Sequence, residues 1–235
     1  MKDFLFNEFN TLTPAAWKQK IQVDLKGDDY NESLIWKSNE DVHVKPFYTT
    51  EDRHFNTIPL AKNEYKICQS IFVDDVIIAN KLAKDSIDRG ASAIQFIAKT
   101  SFDYKNLFDN INTKEIFIYL NFEFLNAAFV SEIDNYCKSN CLYFQIDIIG
   151  NLAKTGNWFS NLNSDLKEKN KYIQSVNNSI CVDASIYQNA GASIIQELTY
   201  ALAHTNEYKE LFGESIAPKL HYIFSVGSNY FFEIA

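Results

Sequence analysis

The sequence predicts an α/β domain built on parallel strands, preceded by an extended arm. Three observations carry this. From about Tyr65 onward, apolar runs rich in β-branched residues occur at 67–73, 93–98, 116–120, 142–149, 180–186 and 220–226. Helical patterns fall between them at about 74–89, 104–110, 126–139, 164–177 and 193–212, with Gly90 and Gly213 placed as C-terminal stops. Strict alternation of the two element types forces parallel pairing with right-handed crossovers. Periodicity alone does not say whether such a sheet is open or closed into a barrel, and six candidate strands fall short of the eight that a (β/α) barrel needs.

Residues 1–62 differ in character and form the expected arm, with 63–235 as the domain. A short helix over 12–22 is marked by Thr13 as its cap and Pro14 at its first position. A turn over 25–29 follows, then two extended pieces at 34–36 and 42–48. So short an arm has little room for a core of its own. Trp17, Trp36, Phe47 and Tyr48 therefore need another surface, either the domain or a second chain.

Within the domain, the stretch 179–212 reads as strand, loop and helix. The β-branched run 180–186 leads into a loop of Tyr187, Gln188, Asn189, Ala190 and Gly191. Ser193 and Gln196 then form a capping box, with Ile194, Ile195, Leu198, Ala201 and Leu202 at helical spacing beyond it. Gly191 can adopt positive φ or admit another backbone closely. α/β folds place ligands between a strand's carboxyl end and a helix's amino end, so Tyr187, Gln188, Asn189 and Gly191 are the substrate-side candidates.

Composition excludes several classes of function. With 235 residues, 46% hydrophobic and 22% charged, the chain can bury a sizeable core. A net charge of -8 argues against general affinity for nucleic acid or anionic membranes, which take a basic patch. The first residues lack the basic start and continuous apolar core of a signal peptide, and no run approaches the ~18 apolar residues of a membrane span. A cytoplasmic location is expected. Residues 229–235 read as an apolar helical start without a polar tail, so the chain is expected to be truncated or completed by a partner.

Motifs for common chemistries are missing. Cys68, Cys137, Cys141 and Cys181 include no CxxC, and small buried or helix-end roles are expected of Cys137 and Cys141. His43, His54, His204 and His221 are scattered without HExxH, so structural or solvent roles are expected and no metal site is assigned. No phosphate-binding glycine loop or GxSxG elbow occurs. Asp147, placed on its strand, with Asp183 and Glu197, are the carboxylates nearest the expected ligand face. The latter two read as turn and helix-dipole residues. Phe122, Phe124, Tyr143 and Phe144 read as core.

Several segments in order resemble the methylmalonyl-CoA mutase family, and particularly its small subunit. In the arm these are Trp17, then Asp24 to Gly27, Leu34 to Trp36, and Val44 to Tyr48 with Asp52. In the domain they are 187–192, Gln196 to Leu198, Tyr200 to Ala203, Glu207 with Tyr208, and 224–235. The resemblance implies a (β/α)8 barrel of TIM type that binds acyl-CoA through its centre, here apparently truncated after about six strands. It also implies an arm that wraps a catalytic large subunit in a heterodimer, self-association being the alternative. Adenosylcobalamin would be carried by that partner, since the family's DxHxxG cobalt-ligating motif has no counterpart here.

The same resemblance implies that this chain is not catalytic. Ile186 falls where the family has the histidine that polarises the thioester carbonyl, and an isoleucine side chain can neither donate a hydrogen bond nor exchange a proton. The segment 65–69 aligns with the family's RPWTIRQ entry but lacks both arginines and the tryptophan. A structural role in a cobalamin-dependent mutase is therefore expected, with no catalytic, cofactor-binding or metal residues of its own. The alternatives are an acyl-CoA-binding fragment of an active mutase and an unrelated barrel enzyme using Asp147 or Asp183.

Overall fold

The computed structural model describes residues 8–53 and 65–234, so His54 and Ala235 lie outside the described residues. Two compact units divide the chain, Met1–Lys62 and Asn63–Ala235. No helix among the described residues is long and apolar enough to cross a membrane.

The first unit is a series of capped turns. Helix α1 (Pro14–Asp24) begins on Thr13, whose hydroxyl accepts from the Ala16 amide at 3.2 Å. Helix α2 (Tyr30–Leu34) is capped by Asp29, which accepts from the amides of Asn31 and Glu32 at 2.7 and 3.0 Å. That cap draws Leu34 into a helix where the sequence reads as extended. Strands β1 (Trp36–Lys37) and β2 (His43–Val44) pair antiparallel, and a 3-10 turn spans Thr50–Asp52. Tyr30 is the only buried side chain among residues 8–53. Trp17 meets Phe47 edge-on at 6.2 Å, yet Trp17, Trp36 and Tyr48 all stay exposed.

The second unit is α/β. Strands β3 (Cys68–Phe72), β4 (Ala93–Ala98), β5 (Phe117–Phe122) and β6 (Leu142–Gln145) form a parallel sheet in sequence order. Strands β7 (Ile180–Asp183) and β8 (Leu220–Ile223) form a separate parallel pair. The connecting helices are α3 (Val76–Asp88), α4 (Tyr104–Leu107), α5 (Ala127–Cys137), α6 (Ile148–Thr155), α7 (Leu162–Ile173), α8 (Ser185–Asn189) and α9 (Ile194–Phe212). A 3-10 turn at Glu214–Lys219 leads into β8, and α10 (Tyr230–Ile234) follows it.

Alternation along each strand explains the core. Ile94, Phe96 and Ala98 of β4, Ile118, Leu120 and Phe122 of β5, and Leu142 and Phe144 of β6 are buried in one cluster with Ala79, Ala83, Val130 and Ile133 of the helices. Gln95, Tyr119, Asn121, Tyr143 and Gln145 occupy the other face and are only half-buried. Tyr143, expected in the core, lies instead on this second face, 5.1 Å from Tyr119 and 5.4 Å from His221.

Several strands are shorter than their apolar runs: β3 by one residue at each end, β8 stopping at Ile223, and two more where a helix begins. The run 142–149 stops pairing at Gln145 because Asp147 caps a new helix, and the run 180–186 stops at Asp183 because α8 begins. Between β6 and β7 the backbone ladder gives way to side chains. The Phe144 amide donates to the Asn178 carbonyl at 3.0 Å, while the Asn178 carboxamide donates to the carbonyls of Asn140 and Leu142 at 3.2 and 3.1 Å. Lys169 Nζ donates to the carbonyls of Ile146 and Ser179 at 2.6 and 3.4 Å.

Candidate functional site

The carboxyl ends of β5 to β8 surround a cleft of about 80 Å³ lined by Asn121, Gln145, Asp147, Lys154, Asp183, Ile186 and Ile223, among others. Asp147 is its structural hub. The residue caps α6 rather than lying on a strand, and it is buried. One carboxylate oxygen accepts from the Gly150 amide at 2.8 Å and the Tyr208 hydroxyl at 2.5 Å, and the other accepts from the Asp183 amide at 2.9 Å. A Cβ at position 150 would come within 2.5 Å of that carboxylate, so only glycine allows this close cap.

Burial by itself raises the pKa of Asp147, but the His204, Tyr208, Gly150 and Asp183 groups facing it outweigh burial and hold it below the ordinary carboxylate range. Asp147 is therefore an anchored anion, poorly suited to take up a proton. Asp183 behaves oppositely, with burial and the neighbouring Asp147 charge pushing its pKa up. Its Oδ1 accepts from the Ser185 hydroxyl at 2.5 Å. Lys169, fully buried against the rings of Tyr172 and Tyr208, is pushed down to about 8 by that burial.

His204 ties this hub to α8. Its Nε2 lies 2.6 Å from the Tyr187 hydroxyl and its Nδ1 lies 3.6 Å from Asp147. At 3.6 Å the Asp147 contact is electrostatic rather than a hydrogen bond, and Nδ1 has no hydrogen-bond partner among the described residues. A proton on Nδ1 suits the facing carboxylate, which leaves Nε2 to accept from the Tyr187 phenol. Tyr187 in turn stacks on Tyr200 at 4.3 Å.

The four substrate-side candidates occupy helix α8 and the turn that follows it. Tyr187, Gln188 and Asn189 belong to helix α8, not to a loop. Five residues show no helical periodicity, and the preceding run reads as strand through Ile186. The Tyr187 hydroxyl turns toward α9, and the Asn189 carboxamide oxygen accepts from the Ser225 hydroxyl at 3.4 Å. Gln188 supplies its carbonyl to the Gly191 amide at 2.9 Å. Gly191 has φ of +100°, the turn that lets the chain leave α8 and enter the capping box of α9. None of the four lines the cleft, whereas Ile186 does.

Sequence reasoning missed the Asp147 hub and the roles of His204, Tyr208 and Lys169. A signal existed in part, because Ala201, His204 and Tyr208 recur at the spacing of one helical face and are the buried side of α9 with Glu197. Glu197, expected only as a helix-dipole residue, is buried and accepts from the Ser225 amide at 2.8 Å. Cys137 ends α5 and is buried, in keeping with a helix-end role.

Comparison with known proteins identifies the lineage of this site. The methylmalonyl-CoA mutase family model matches residues 97–235, more than half of the chain and including every residue named around the cleft. The chain belongs to the methylmalonyl-CoA mutase family. It is 29% identical to the methylmalonyl-CoA mutase small subunit of Porphyromonas gingivalis, over 100% of this chain and 43% of that protein. It is 21% identical to the methylmalonyl-CoA mutase of Cereibacter sphaeroides, over 94% of this chain and 40% of that one. The chain thus spans about two fifths of the length of these relatives.

The residues around the mutase-family cleft do not fit a corrin cofactor. Both ring nitrogens of His221 are buried, His204 Nε2 is held by Tyr187, and His204 Nδ1 is buried facing Asp147, so neither histidine presents a nitrogen at the cleft surface to cobalt.

Proposed function

We propose that this chain acts as a small-subunit-like component of a cobalamin-dependent methylmalonyl-CoA mutase, supporting the interconversion of methylmalonyl-CoA and succinyl-CoA without performing it. In this reading residues 63–235 are part of a (β/α)8 barrel, and residues 1–62 wrap a catalytic large subunit that carries adenosylcobalamin in a cytoplasmic heterodimer. The observation that carries the reading is Ile186 lining the cleft, where the family resemblance calls for a carbonyl-polarising histidine. The exposed Trp17, Trp36 and Tyr48 support the wrapping role, since aromatic side chains of this size favour burial against a partner.

Two measurements test it. Mixing the chain with a methylmalonyl-CoA mutase large subunit should give a one-to-one complex by light scattering, lost when Trp17 and Trp36 are both changed to Ala. Ile186→His should produce no detectable succinyl-CoA from methylmalonyl-CoA with adenosylcobalamin present, because groups that act as a unit regain little from one repair. Turnover by that variant alone would favour the second reading, an acyl-CoA-binding fragment of an active mutase.

A further inference from the structure

One phenol of this fold has a base in place for its proton. The Tyr187 hydroxyl lies 2.6 Å from His204 Nε2, and behind that ring Nδ1 faces the Asp147 carboxylate at 3.6 Å. Among the described residues no other tyrosine hydroxyl meets an imidazole. The Tyr208 hydroxyl donates to Asp147, which is held as an anion, the Tyr222 hydroxyl meets that of Thr205, and the Tyr172 hydroxyl is buried without a partner. Tyr187 also stacks on Tyr200, with ring centroids 4.3 Å apart and planes 21° from parallel, and Tyr200 is 44% exposed. A phenol becomes a strong acid once it loses an electron, so the electron leaves more readily where a base can take the proton with it. Burial and the nearby Asp147 charge raise the pKa of Tyr187, so the proton stays on its oxygen until then.

We infer that Tyr187 is a redox-active tyrosine whose proton passes to His204, and that peroxide-derived or other one-electron oxidants couple it to Tyr200, cross-linking α8 to α9. Each phenol gives one electron to the oxidant and one proton to a base, Tyr187 to His204 Nε2 and exposed Tyr200 to water. The two phenoxyl radicals then pair through ring carbons ortho to their oxygens. Each ring hydrogen at the new carbon–carbon bond leaves as a proton while its oxygen regains one, so the net change is the loss of two electrons and two protons. Asp147 stabilises the intermediate imidazolium across 3.6 Å. The link pins α8, whose Ile186 lines the cleft, to α9, whose Tyr208 holds Asp147. It uses side chains of this chain alone and does not rest on the role proposed above.

The 235-residue chain is oxidised at low concentration with an illuminated ruthenium polypyridyl complex and persulfate, and dityrosine is read by its fluorescence. Both tyrosines lie between Lys171 and Lys209 with Glu197 between them, so cleavage at lysine and then at glutamate leaves two peptides joined only by the link. Mass spectrometry of the monomer fraction should find that pair, lighter by two hydrogen atoms. Tyr187→Phe and Tyr200→Phe should each abolish it, and His204→Gln should slow its formation roughly a hundredfold, the low end of what a positioned base contributes. Tyr104 and Tyr136 are an internal control, edge-on at 5.4 Å without an imidazole, and should stay unlinked. A first link at Tyr104 and Tyr136, links only between chains, or an unchanged rate in a folded His204→Gln variant would each overturn the inference. Should His204→Gln fail to fold, the position of the wild-type link decides on its own.

Discussion

The β4–β5 pair and the β6–β7 seam solve one problem in two ways. Between β4 and β5 the backbone pairs residue by residue from Ala93 with Phe117 to Ala98 with Phe122, and the side chains only pack. Between β6 and β7 the Asn178 carboxamide, the Lys169 ammonium and the Asp147 carboxylate make most of the polar contacts. A ladder spreads its cohesion over many equivalent bonds, whereas a seam stitched by side chains concentrates it in three residues. Cost of substitution should follow that difference, and so should sensitivity to pH.

The largest effect is expected at Asp147. Asp147→Ala leaves the Gly150 amide, the Asp183 amide and the Tyr208 hydroxyl without an acceptor, and each buried donor so stranded costs about 1–3 kcal/mol. A total loss of roughly 3–5 kcal/mol should appear in urea denaturation, with the β7–β8 pair exchanging its amide hydrogens before the four-stranded sheet. Simultaneous exchange of both sheets would show that the seam is no weaker than the ladder.

Lys169 tests the seam through pH. Its folded pKa of about 8 lies below the ordinary lysine value of 10.5, so the unfolded chain binds more protons between these limits. The penalty is complete below about pH 8 and vanishes above about 10.5, so this group makes the fold more stable as pH rises. Cys181 and Tyr172, whose pKa values burial raises, pull the other way in the same range, and comparison with Lys169→Met cancels them. Between about pH 8 and 9.5 the wild type should gain about 1–2 kcal/mol relative to that variant in thermal or urea unfolding. A constant difference across that window would mean that Lys169 is not the desolvated cation of the seam.

Within the ladder, Ile118→Val should cost about 1 kcal/mol, the usual loss for one buried methylene, with no dependence on pH. A loss as large as that of Asp147→Ala would remove the contrast between the two regions.

Much of the architecture is legible in the chain itself. Pro14 after Thr13, the Ser193 and Gln196 box, and the stops at Gly90 and Gly213 act through bonds within a few residues, so their physics is local and readable. The burial of Ile94, Phe96, Ile118 and Leu120 follows from β-branched and aromatic alternation in the same way. The end of β6 was not readable, because only the approach of Asp183 and Tyr208, distant in sequence, makes Asp147 a buried anchor rather than one more strand residue. Nor was α8, since its conformation rests on Ser185 meeting Asp183 and on Tyr187 reaching His204 across 17 positions. Local spacing thus determined most of the helix and strand segments, while the family resemblance rested on the identity and order of particular segments. Long-range pairing of charged and polar side chains decided where the sheet divides, which residues meet at the cleft, and that Ile186 rather than Tyr187 faces into it.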